Sequence, residues 1–433
     1  MSNFQIVVIG IFIVFIIAGV LTFASFGGFG GGGTSYANVT VWGTLPQETM
    51  DNLIKKNTIN AVYVEKDPAT FESDFVNALA EGSGPDVVLL PQNLILKEQS
   101  KILTIPYASY SDRTFKDTFV QEGELFETPT GILGLPFTVD PLVMYWNRDL
   151  FNSAAVAVPP AHWDDFYDLS TKLTIKDQSS IIHQSAVSFG EYDNVDHAKD
   201  ILAAMILQTG NNMIGSSDNG PVSTLSDKMN QDVAPAEAAL TYYTGFADPL
   251  KAQYAWNRSL PDSKAYFLSG NLATYFGYAS EFPDLQTKNP NLNFDVALLP
   301  QARDTASAAT FGNMTALAIL KNTKNSAAAF HAIGLFTTAD SIAYLTTETN
   351  LPPVRRDLIA AGPTSAASTG ALSTFYTAAL QSKGWLDPDI SGTEAIFKTM
   401  IESVTSGQDA PSEAVNSGSA QLGEILRAYA TLN

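Results

Sequence analysis

Two carboxylates and a small set of aromatic side chains are the residues of this sequence whose chemistry most needs a purpose. Asp140 stands before Pro141, and Glu281 follows Gly277 and Tyr278. Two carboxyl groups about 5 to 10 Å apart across one glycosidic bond would hydrolyse it. Nothing in the sequence sets that separation, so hydrolysis is the weaker reading of the pair. Trp42 ends a predicted strand, while Tyr254 and Trp256 lie in the polar loop 253–258. Aromatic faces beside planar hydrogen-bonding groups match the C–H faces and hydroxyl rim of a sugar. For Trp42 the rival reading is cover for the sheet. The polar flanks of Trp256 favour ligand contact over core packing. Arg355 and Arg356 could reach hydroxyls or carboxylates, with a helix-start or surface role as the alternative, and Trp385 is a weaker candidate.

Other chemistries lack their residues. There is no cysteine, which removes disulfides, thiolate metal sites, thiol nucleophiles and a lipid on an N-terminal Cys. His162, His183, His197 and His331 are scattered without metal-ligand spacing. No Walker loop or nucleophile-elbow motif occurs, and neither a metal nor a cofactor is expected. Gly28, Gly30 and Gly33 satisfy a dinucleotide fingerprint formally, but no strand precedes them, so 27–36 reads as a flexible linker.

The elements that position these residues alternate. Strands are predicted at 39–42, 61–65 and 87–90, with helices at 47–56 and 71–80, the second ending near Gly82. This βαβαβ order implies a parallel sheet covered by helices. In such sheets ligands sit beyond the carboxyl ends of the strands, here Trp42, Gly43, Thr44 and Gln92. A strand is expected at 142–146, and Trp163, Phe166, Tyr167, Leu169 and Leu173 share one helical face. Further helices are expected at 198–208, 236–246 and 262–268, and strands at 272–276, 294–299 and 316–320. After 326 the chain reads as nearly all helix. Strands that recur after a long helical stretch suggest a chain returning to its first lobe before finishing in the second.

The 433 residues carry a net charge of −20, with no charged side chain before Glu48. That balance excludes a phosphate-binding cationic face, and with it nucleic acid. The apolar run 4–26 is uncharged and long enough to cross roughly 30 Å of hydrocarbon. It reads as an uncleaved transmembrane anchor, with a cleaved signal peptide as the rival.

Several segments, in order, resemble the family 1 extracellular solute-binding proteins, the maltose-binding-like receptors of ABC importers. They are the Gly84, Pro85, Asp86 approach to a strand; Gly134 to Asp140 running into Tyr145, Asn147, Asp149, Leu150 and Phe151; Pro159 to Phe166; Phe267 to Ala273; Phe311, Gly312, Asn313; and Leu351 to Arg356. The resemblance implies an α/β fold of the type II periplasmic-binding-protein-like class, two lobes joined by crossover strands, here preceded by the transmembrane helix. It divides the chain into a first lobe of 37–138 plus 270–322 and a second of 139–269 plus 323–433. It implies a monomeric, extracytoplasmic receptor that delivers a sugar or oligosaccharide to permease subunits and is no enzyme. A surface-anchored sensor or adhesin without a permease remains the alternative. The resemblance also implies that Asp140, Gly277, Tyr278, Glu281 and Asn313 belong to the ligand site, beside Trp42, Gly43, Thr44, Gln92, Tyr254, Trp256 and Arg355.

Overall fold

The computed structural model describes residues 36–218, 220–303, 307–363 and 369–430. The expected anchor and linker lie outside these residues, and none of the described helices is long and apolar enough to cross a membrane. The opening unit forms as its periodicity dictates: β1 Val39–Gly43, α1 Gln47–Lys56, β2 Ala61–Glu65, α2 Phe71–Glu81 and β3 Val87–Pro91. Gly82 ends α2 in the left-handed conformation at φ 73°, which costs glycine nothing. Later strands are β4 Leu135–Asn147, β5 Ile175–Lys176, β6 Ile182–Val187, β7 Leu272–Tyr278, β8 Phe294–Ala297, β9 Thr310–Ile319 and β10 Ser382–Lys383, with α3 Ala198–Gln208 between β6 and β7.

These ten strands form one mixed sheet in the order β2-β1-β3-β9-β4-β7-β6-β5, with β8 on β4 and β10 on β9. β1 to β3 pair in parallel, whereas β9 lies antiparallel to both β3 and β4. The sheet covers two separate hydrophobic cores. One contains the residues of β1 to β3, Leu135 to Val139, Met314 to Leu320 and Ala328 to Ile359. The other contains Leu142 to Tyr145, the apolar side chains of α3, Leu272 to Ala279, and Ile396 to Leu426.

Two strands pass from one core to the other. β4 leaves the first core at Val139 and enters the second at Leu142, and β9 makes the reverse crossing between Phe311 and Met314. A third crossing lies beyond a helix that touches both cores, with Phe375 and Ala378 in the second and Ala379 in the first, and ends at Trp385 in the second. At the joint Pro141 faces Gly312. Proline removes a ladder donor there and glycine leaves room, because any Cβ on Gly312 would overlap Ser382 Oγ and Glu122 Oε2.

Core membership divides the chain at other places than the expected lobe boundaries. Residues 270–279 pack with the second core because β7 pairs with the far half of β4 and with β6. Residues 328–359 cover the first core instead, since their helices pack on β1, β4 and β9.

Candidate functional site

Where the chain crosses between cores, a cavity of about 460 Å³ opens. The first core contributes Gln92 and Asn93, just past β3, and Asn313 comes from the crossing of β9. Gln92 is held firmly: its Nε2 donates to the Gly312 carbonyl at 2.6 Å, and its Oε1 accepts from the Met314 amide at 3.1 Å. Asn93, half-buried, and Asn313, exposed, border the same space.

The second core contributes charge. Asp193, His197, Lys199 and Asp200 come from the loop before α3 and its first turn, and Asp387 and Glu394 from the approach to the helix Ile390–Thr405 and its early residues. Both helices point their N-termini at the cavity, so the positive ends of their dipoles offset part of the carboxylate charge. Lys199 donates to Asp387 Oδ2 at 2.6 Å and to Thr393 Oγ1 at 2.8 Å. Tyr192, Phe311 and Trp385 supply aromatic surface.

His197 takes a left-handed conformation, φ 59°, at the start of α3, and its Nε2 stands 2.8 Å from Glu281 Oε1. Burial works against its charged form, yet Glu281, Asp200 and Asp196 together raise its pKa above the ordinary histidine value. Glu281 is the hub behind the cavity. Its Oε1 also accepts from the Tyr278 amide at 2.8 Å, and its Oε2 receives the Tyr275 hydroxyl and the Lys264 ammonium, each at 2.8 Å. Burial alone would raise this carboxyl, but the bonds from His197 and Lys264 hold it down to about 2. Gly277 makes the hub possible, because a Cβ there would stand 2.7 Å from Glu281 Oε1. Tyr278 donates its hydroxyl to Asp200 Oδ2 at 2.7 Å. Burial raises Asp200, and the bond from Tyr278 opposes the rise. Asp140 accepts from the Ser280 amide at 3.0 Å, and burial pushes its carboxyl up to about 6.

Of the residues expected from sequence, Gln92 and Asn313 line the cavity. Asp140, Gly277, Tyr278 and Glu281 form the network behind it. Asp140 faces Asn313 across the β4–β9 pair. The others lie elsewhere. Trp256 is fully buried in the second core, its Nε1–H donated to Asn194 Oδ1 at 3.1 Å and its ring set edge-on against Tyr266. Of its polar neighbours, Arg258 pairs with the Glu191 carboxylate, and Asn257 donates to the Tyr254 hydroxyl and accepts from the Ser259 amide. Tyr254 is also buried, its hydroxyl accepting from Asn257 Nδ2 at 2.7 Å. Trp42 is half-buried beneath the Lys66 ammonium, 3.6 Å from its ring centroid. Gly43 is required by packing, since a Cβ there would overlap Leu89, and Thr44 is exposed beside it. Arg355 forms a paired contact with Asp357 and donates to the Thr337 carbonyl at 2.9 Å. None of these six lines the cavity.

Asn93, Tyr192, Asp193, His197, Lys199, Asp200, Asp387 and Glu394 also line the cavity and were not expected from the sequence. The one available signal was the run from Tyr192 to Asp200, dense in polar and charged groups directly before an apolar helix. Among the described residues no cluster of ligands could hold a metal ion.

Residues 49–371 match the family model described as bacterial extracellular solute-binding protein. A binding protein of Brucella abortus (strain 2308) is 21% identical over 283 residues, and one of Brucella suis biovar 1 (strain 1330) gives the same figures. The chain spans 64% of the length of these relatives, and the match covers 64% of the chain itself. Solved structures share the fold over nearly all of it. The cyclic alpha-maltosyl-1,6-maltose binding protein from Arthrobacter globiformis has a TM-score of 0.74 at 14% identity, covering 91% of this chain and 100% of that one. The sugar-binding protein MalE from Xanthomonas citri has a TM-score of 0.73 at 17% identity, covering 90% and 97%. A cyclo/maltodextrin-binding protein complexed with maltotetraose has a TM-score of 0.72 at 16% identity, covering 91% and 98%. With most of its length matched by one family model, the chain belongs to the bacterial extracellular solute-binding proteins.

Proposed function

We propose that this chain is a two-lobed clamp of the type II periplasmic-binding class that captures a sugar or oligosaccharide and hands it to the permease of an ABC importer. The observation that carries this reading is the cavity at the chain crossings, to which both cores contribute. Rotation about the joint would bring its two walls together on a solute, as hinge closure requires. The amides of Asn93 and Asn313, the carboxylates of Asp193, Asp200 and Glu394 and the aromatic surfaces suit hydroxyls and C–H faces. The three structural relatives named above are sugar-binding by their own descriptions.

No chemistry on the solute is part of the proposal. Glu281, which a hydrolytic reading would use, spends both oxygens on four donors and has none free to attack. The apolar segment 4–26 would keep the receptor at the membrane, with the folded part outside. Titration of the full chain with a panel of linear and cyclic oligosaccharides tests the reading. One-to-one binding, a raised melting temperature and unchanged sugar support it. Released product would replace it with an enzyme, and a panel without any binder would move the ligand to another class.

A further inference from the structure

The joint holds a buried carboxyl that the cavity does not use. Glu122 is 2% exposed and lies in the turn Gln121–Phe126, on the first-core side. Its Oε2 accepts from Ser382 Oγ, while its Oε1 has no hydrogen-bond partner. A buried carboxyl oxygen left unsatisfied is costly and needs a reason. Two crossings between the cores press on this side chain. Ser382 belongs to one, and Gly312, which has no room for a Cβ beside Glu122, belongs to another.

Behind Glu122 opens a second cavity of about 440 Å³, bordered by Glu124 from the first-core side, by Gly210 and Asn212 from the second core, and by Gly384 and Trp385. The first turn of α3 borders the front cavity, and Gly210 follows its far end. Eleven helical residues span about 16 Å, so front and rear cavities sit at opposite ends of one rigid rod. Trp385 borders both.

We infer that Glu122 is a proton-controlled wedge in the joint: neutral, it lets the Gly312 and Ser382 crossings pack against it, and ionised, it draws water from the rear cavity and opens that side. Burial pushes its carboxyl up to about 8, the bond from Ser382 and the nearby Gln92 amide oppose this, and the charge of Asp140 adds to it. The other elements packed on this turn supply few charges. β9 carries none, β10 brings Lys383, and β4 brings Asp140. In the helix Asp112–Thr118, Lys116 is held by Asp112 and Glu127, and Arg113 by Asp117. Glu124 is the remaining charge at the rear. The proton therefore leaves in mildly alkaline solution, and the rear cavity should widen there.

Narrowing of the front rests on the clamp reading, whereas widening of the rear does not. The test accordingly reads the rear without any solute. The chain has no cysteine, so Glu124→Cys and Asn212→Cys, both exposed, accept a pair of spectroscopic labels in the full-length protein. The inter-label distance should increase between pH 6.5 and 9.5 with a midpoint near 8, and the increase should vanish in Glu122→Gln. A distance that does not respond to pH, or that responds equally in Glu122→Gln, overturns the wedge. Should Glu122→Gln fail to fold, Ser382→Ala replaces it: losing that bond should move the midpoint to higher pH, and an unmoved midpoint overturns the wedge equally. Maltotetraose is the solute probe. Binding about threefold tighter at pH 9.5 than at 6.5 extends the wedge to the front. Absence of binding at both pH values counts against the sugar reading, and the label distance still decides the wedge.

Discussion

The two walls of the front cavity are built on different principles. The first-core wall is neutral: Gln92, Asn93 and Asn313 are amides, and the one that is deeply buried, Gln92, is consumed by backbone bonds to Gly312 and Met314. The second-core wall is ionic, with Lys199 tied to Asp387 and with Asp200 and His197 backed by Tyr278 and Glu281. Asn93 and Asn313, less buried than Gln92, can be lost singly at little cost to the fold. Charges withdrawn from water must be balanced by fixed partners, so the ionic wall doubles as part of the second core's stability. Substitutions on the two sides should therefore separate: those behind or within the ionic wall reduce stability, and those at Asn93 and Asn313 reduce affinity alone.

The largest effect is expected behind the ionic wall. Trp256 fills the second core and fixes Asn194, whose amide in turn donates to the carbonyls of Asn257 and Leu260. Trp256→Ala should cost about 3–5 kcal/mol in a urea titration, with solute binding lost as a consequence. An unchanged unfolding midpoint with weakened binding would return Trp256 to the ligand. Next is Lys199→Met, which leaves Asp387 buried without its cation. A loss of about 3 kcal/mol is expected, and a stable variant would mean the pair is hydrated.

The pH dependence of stability sharpens the same wall. Glu281 is held down to about 2, so its contribution is complete above the ordinary carboxylate pKa and disappears as pH falls toward 2. His197 is raised, so its contribution is complete below the ordinary histidine pKa and is lost as pH rises through the raised value. Glu281→Gln should flatten the acid limb of unfolding midpoints measured from pH 2 to 5 and abolish the loss near neutrality. Identical profiles would remove the hub from the account. Smaller still, Asp200→Asn should weaken oligosaccharide binding by about 1.5–3 kcal/mol and Asn93→Ala by about 1 kcal/mol, both by calorimetry. Only the first should change stability.

The contrast between walls also explains what could be read from the sequence. α1, β2 and α3 form over the residues expected, because their apolar periods are clean and Gly82 or Gly210 marks an end. β4 runs to 13 residues where a five-residue strand was expected, since Pro141 looks like a break and is tolerated only at the joint. The placing of Gln92 and Asn313 beside the cavity was accessible, the first from its strand end and the second from the family resemblance of its segment. The ionic wall was not, because Asp200 and Asp387 lie far apart in sequence and meet only through packing on α3. The burial of Trp256 was not legible for a related reason: polar neighbours say nothing of burial when their partners, Glu191 for Arg258 and Tyr254 for Asn257, are supplied by the fold.

Hydrogen–deuterium exchange of the full chain, with and without the oligosaccharide that raises its melting temperature most, bears most directly on the two-wall site. Protection is expected together at 92–93, 192–200, 311–313 and 385–394, from both walls at once. Protection confined to 42–44 and 254–257, with those four segments unchanged, would contradict it.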